Sequence, residues 1–78
     1  MKVEVQFIGL LRKYFERDRE QVELPEGATA ADLLSHLCPP LWLDQGPLLI
    51  VVNQHFAKPS TPLVEGDRVI FMLPVGGG

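Results

Sequence analysis

With 78 residues, 46% of them hydrophobic and 22% charged, the chain has room for one core spanning residues 1–78 and is too apolar to stay disordered. A net charge of −3 leaves no basic stripe to neutralise phosphates, so nucleic acid is not an expected partner. The single cysteine excludes an internal disulfide, and no run of about eighteen apolar residues predicts a membrane span, so the expected setting is the cytoplasm.

The first segment, "KVEVQFI", alternates: Val3, Val5 and Phe7 share one face and Lys2, Glu4 and Gln6 the other, the period of a half-buried strand. "LLRKYFER" then predicts a short helical excursion with an apolar side formed by Leu10 or Leu11 with Tyr14 and Phe15. "EQVELP" resumes alternation through Val22 and Leu24, so the first two strands should form a hairpin with the excursion as its connection.

"PEGATAADLLSHL" carries the strongest local signal. Thr29 is a good N-cap, and Asp32 stands where a carboxylate can answer the cap and face the positive helix end. Ala30, Leu33, Leu34 and Leu37 form one apolar stripe, and Pro39 and Pro40 should stop the helix. "LLIVVN" is apolar on both faces and predicts a strand in the middle of a sheet. Asn53-Gln54 should turn into a short "HFA" strand, and "PSTPLVEGD" is a loop before the closing strand "RVIFML". Two strands, a helix and further strands suggest an α+β roll of the β-grasp (ubiquitin-like) kind, a mixed sheet of about four or five strands on one main helix.

Few residues suggest chemistry of their own. Cys38 follows a helix, at the end whose partial charge is negative, where a thiolate gains nothing; it reads as a small buried filler rather than a persulfide carrier. His36 is one turn from Asp32 and is expected to pair with it, His55 has no matching ligand, and neither makes a metal-ligand spacing with Cys38. Glu16, Asp18 and Glu20 interleave with Arg17 and Arg19 as a solvated connection. No catalytic side chains are expected.

Surface and tail remain. If Val69, Phe71 and Leu73 face inward, Ile70 and Met72 face outward, as does Ile8 in the first strand, and Phe56 adds a large apolar group. As neighbours these residues would form an exposed apolar patch, a mark of a protein interface. The sequence ends "LPVGGG", with Pro74 and Val75 leaving the sheet and Gly76, Gly77 and Gly78 forming a flexible tail of residues 74–78. Glycine passes through channels too narrow for any side chain, and three extended residues reach on the order of 10 Å. Such a tail would deliver the Gly78 carboxylate into another protein, where conversion to an acyl-adenylate would make it electrophilic.

"LPEGATAADLL", "VVNQ", "PLVEGDRVIFMLP" and the terminal Gly-Gly, in that order, resemble the MoaD/ThiS family of ubiquitin-like sulfur-carrier proteins from end to end. "GLLRKYF" between the first strands and Pro74 in the closing segment are most similar to the family's molybdopterin synthase small subunits. Gly76 departs from the serine, threonine or alanine usual there and is shared with thiamine-type carriers. The resemblance implies that an E1-like enzyme adenylates Gly78 with ATP and that a persulfide donor converts it to a thiocarboxylate. The large synthase subunit then uses that sulfur on precursor Z; this chain binds no cofactor and acts as a non-catalytic sulfur donor. By motif alignment, Ile8, Arg12, Phe56 and Met72 would meet the partners, with Pro74 and Val75 leading into the tail. A carrier for thiamine thiazole or another product, a ubiquitin-like modifier joined to lysines, and a plain interaction module remain as alternatives.

Overall fold

The computed structural model describes residues 1–37 and 48–73; Cys38, Pro39 and Pro40 lie outside the described residues. Alternation decides the first strand. In β1 (Lys2–Phe7), Val3, Val5 and Phe7 point inward and are buried, while Lys2 faces solvent and Glu4 and Gln6 are half-buried. β2 (Arg19–Glu23) lies antiparallel to it, with Val3 opposite Val22, so the expected hairpin forms.

Its connection is a built element. Gly9 at φ 65° and ψ −128° takes a conformation that a side chain disfavours and turns the chain into α1 (Leu10–Phe15). Leu11 is fully buried, and the Phe15 ring stacks on Phe7 with centroids 4.5 Å apart. Glu16 in the left-handed region closes the helix by donating its N–H to the Arg12 carbonyl.

The main helix, α2 (Ala30–His36), begins on the expected cap: Thr29 Oγ1 accepts from the Asp32 N–H, and Asp32 Oδ2 accepts from the Thr29 N–H at 2.9 Å. The next free donors are met by the loop before the last strand. The Ala30 N–H donates to the Thr61 carbonyl and that of Ala31 to the Pro59 carbonyl, so this loop is lashed across the helix start. Ala30 and Leu33 are buried, and Leu34 and Leu37 pack against the core they border.

The remaining strands are β3 (Leu49–Val52), β4 (His55–Ala57) and β5 (Arg68–Met72). The sheet runs β2-β1-β5-β3-β4, with β5 parallel to β1 and antiparallel to β3. The middle strand is therefore β5, not the "LLIVVN" segment, which lies one strand inside the edge. Its apolarity has a different cause: Ile50 enters the core, while Leu49 and Val51 stand half-exposed on the other face. A five-stranded mixed sheet with α2 packed on one side is the β-grasp arrangement.

Asn53 and Gln54 connect β3 to β4, both at positive φ, as the tight primed hairpin turn demands. Asn53 also closes the β3–β5 ladder. Its side-chain carbonyl accepts from the Arg68 N–H, and its amide donates to Asp67 Oδ1 at 2.8 Å. Asp67, the one buried charged residue among the described residues, accepts a second bond from the Val64 N–H through Oδ2.

Candidate functional site

The outer face of the sheet, away from α2, follows from the register. Residues opposite one another across strands point the same way, so Arg19, Gln6, Ile70, Val51 and Phe56 form one row across all five strands. The next row toward the end of β5 pairs Met72 with Leu49. Ile8 stands one residue beyond the last β1–β5 pair, Phe7 with Phe71, and so extends this row beside Met72. In the opposite direction the rows turn polar, with Gln21, Glu4 and Arg68 together and then Glu23 beside Lys2.

The outer face is thus graded, from charged at the start of β1 to apolar where β5 ends. The expected patch forms, with Ile8 41% and Phe56 78% exposed while Leu49, Val51, Ile70 and Met72 are half-buried between neighbours. Phe56 at this exposure is unusual for a large aromatic ring and lies over the half-buried Val51 row. Leu49 and Val51 belong to this surface although alternation did not single them out. A strand apolar at every position shows no alternation, and only its register assigns faces.

Arg12 lies apart from these rows, on the exposed side of α1, with Nε 3.6 Å from Asp18 Oδ1. Arg17, on the same connection, pairs with Glu20 in β2. Glu16 and Asp18 fit the expected solvated segment, whereas Glu20 is half-buried in β2 because that strand begins at Arg19; each of these ion pairs contributes little to stability. Pro74, Val75, Gly76, Gly77 and Gly78 lie outside the described residues, which end at Leu73, one residue past β5.

Chemically the face offers apolar burial at one end and charged and amide hydrogen-bonding groups at the other. Among the described residues no group of three His, Cys, Asp or Glu side chains gathers as for a metal ion. Also among them, no helix is long and apolar enough to cross a membrane.

Known proteins share both sequence and architecture with this chain. It is 35% identical over 82 aligned residues to the molybdopterin synthase sulfur carrier subunit of Mycobacterium tuberculosis, covering 100% of this chain and 99% of that one. A putative molybdopterin converting factor subunit 1 from Pyrococcus furiosus is similar in structure, with TM-score 0.79 and 27% identity, covering 96% of this chain and 99% of that chain. A chain of the complex of subunits 1 and 2 of the molybdopterin-converting factor from Helicobacter pylori matches at TM-score 0.67 and 27% identity over 100% of both chains. Residues 5–78 match the model of the ThiS family, and the chain belongs to that family.

Proposed function

We propose that this protein is the sulfur carrier of molybdopterin synthase, its small subunit, acting in the cytoplasm. The observation that carries this reading is the end-to-end 35% identity with the mycobacterial sulfur carrier subunit. The helical excursion α1 supports it over a thiamine-pathway carrier, in which the first two strands are usually joined more tightly.

On this reading Gly78 is the reacting residue. Its carboxylate is a poor electrophile until an E1-like enzyme joins it to AMP from ATP, which supplies a good leaving group. The terminal sulfur of a persulfide donor then displaces AMP to form an acyl disulfide, and a thiol reductant cleaves its S–S bond to leave the thiocarboxylate. The glycines carry that sulfur into the large synthase subunit, which uses it on precursor Z and supplies the acid and base groups. The graded outer face would hold the partner: its apolar end, with Ile8, Met72 and Phe56, borders the end of β5, so docking there would aim residues 74–78 into the partner. Arg12 would add a rim contact. The H. pylori complex of subunits 1 and 2 supports the large subunit as the partner.

The decisive measurement is the intact mass of the full chain after incubation with ATP, the activating enzyme and a persulfide donor. Exchange of one oxygen for sulfur at the C-terminal residue is the expected result. An unchanged mass with an enzyme that loads a known sulfur carrier would sink the reading.

A further inference from the structure

Where the outer face turns from apolar to polar, it is indented by a groove of about 330 Å³ lined by Gln6, Asn53, Gln54, Gly66, Arg68 and Ile70. No carboxylate lines it, in a chain whose net charge is −3. The Arg68 guanidinium meets Glu4 only loosely, Nε to Oε2 at 3.6 Å, and is largely exposed. Asn53 is fully engaged by Arg68 and Asp67 and serves as wall. The Gln6 and Gln54 side-chain amides form no hydrogen bond among the described residues, and Gly66 at φ 85° keeps the rim low. Amide and guanidinium donors therefore surround one apolar wall, Ile70.

The backbone singles out one of these residues independently. Gln54 sits at φ 72°, second in a two-residue turn whose preferred partner after asparagine is glycine. An ordinary side chain in the left-handed region is disfavoured there. The turn carries that cost and gains a glutamine amide at the groove.

We infer that Gln6, Gln54 and Arg68 form a polar subsite that receives an acidic side chain of the large synthase subunit when the apolar rows dock. This rests on the proposed function. The occupant follows from the donor-rich, acid-free lining and from continuity: Ile70 belongs both to the groove and to the row that ends at Phe56. A carboxylate would accept from the Arg68 guanidinium, displacing Glu4, while the two amides donate to its free oxygens. The subsite would select the partner by charge as the apolar rows select it by shape.

Calorimetric titration of the full chain into the large subunit, at low and high salt, tests this with Gln54→Gly and Arg68→Gln, each melted in parallel. Gln54→Gly should melt at or above the parent temperature, because glycine relieves the turn, yet bind about tenfold more weakly, the effect of losing one hydrogen bond to a charged acceptor. Arg68→Gln should weaken binding about tenfold and flatten its salt dependence, as loss of a charge-assisted bond requires. Parent affinity and parent salt dependence in both variants would overturn the subsite while leaving the sulfur-carrier reading standing. So would a loss of affinity in Gln54→Gly that appears only with a lower melting temperature. A parent chain that does not bind the large subunit at all overturns the molybdopterin synthase reading, and this inference with it.

Discussion

The two faces of the sheet are built from the same five strands and differ in what their apolar residues touch. On the inner face Val5, Phe7, Val69 and Phe71 are essentially inaccessible, sealed by α2, Leu11 and each other. On the outer face Ile8, Leu49, Val51, Phe56, Ile70 and Met72 keep part of their surface in water. Burying an apolar group against its own chain contributes to folding; leaving one half-covered holds that free energy back for a partner. A domain this small cannot spare core residues lightly, so six apolar side chains kept outside suggest that docking matters as much as stability.

The comparison breaks most sharply at Phe71, which is 1% exposed and lies opposite both Phe7 and Ile50. Phe71→Ala should cost about 3–5 kcal/mol, lost transfer energy plus the cavity left behind, enough to unfold much of a marginal domain. Denaturant titration followed by circular dichroism measures it, and a loss below about 1 kcal/mol would mean the inner face is not the core.

Phe56 is the opposite case. Phe56→Ser should leave the folding midpoint within about 0.5 kcal/mol of the parent, since the ring is mostly in water, but weaken large-subunit binding by about 2 kcal/mol, near thirtyfold. If the variant instead loses stability and keeps its affinity, the outer face is structural and its exposure carries no function.

Between the faces, at the start of β5, Asp67 joins the loop to the β3–β4 turn. Asp67→Ala orphans the Val64 N–H and the Asn53 amide and should cost about 1–3 kcal/mol. It should also loosen the turn that carries Gln54, so backbone amide exchange should accelerate at residues 53–57 before it does in β1. Uniform acceleration would show that the link holds the whole domain rather than this corner.

Much of the inner face was legible in the sequence because its signals are local. Val3, Val5 and Phe7 alternate within one strand, and Thr29 and Asp32 are three residues apart, so period and capping identify them directly. Ile8 and Met72 were also reachable, by extending alternation to the other side, and Phe56 as a large apolar group on a short strand. The strand order was not. Whether β5 or β3 occupies the middle depends on pairings such as Phe7 with Phe71, and no periodicity within either strand encodes which neighbour it takes. The Asn53–Asp67 bond spans fourteen positions and joins two segments that each read simply as turn chemistry. The groove at Gln6, Gln54 and Arg68 escapes sequence reading for the same reason, since three unremarkable polar residues converge only when β1, β5 and the turn assemble.

The smallest effect supplies the control that the comparison needs. Thr29 caps α2 on the inner side, far in function from the outer rows, and Thr29→Ala removes the hydroxyl that accepts from the Asp32 N–H. The expected cost is about 1 kcal/mol, because the loop carbonyls of Pro59 and Thr61 still satisfy Ala31 and Ala30. Affinity for the large subunit should not change. A variant that is mildly destabilised yet binds normally shows that affinity does not simply follow stability, so that a loss at Phe56 or Arg68 belongs to the surface itself. Were Thr29→Ala to weaken binding as much as Phe56→Ser, the two faces would be energetically coupled, and the outer rows would act through the fold rather than by contact.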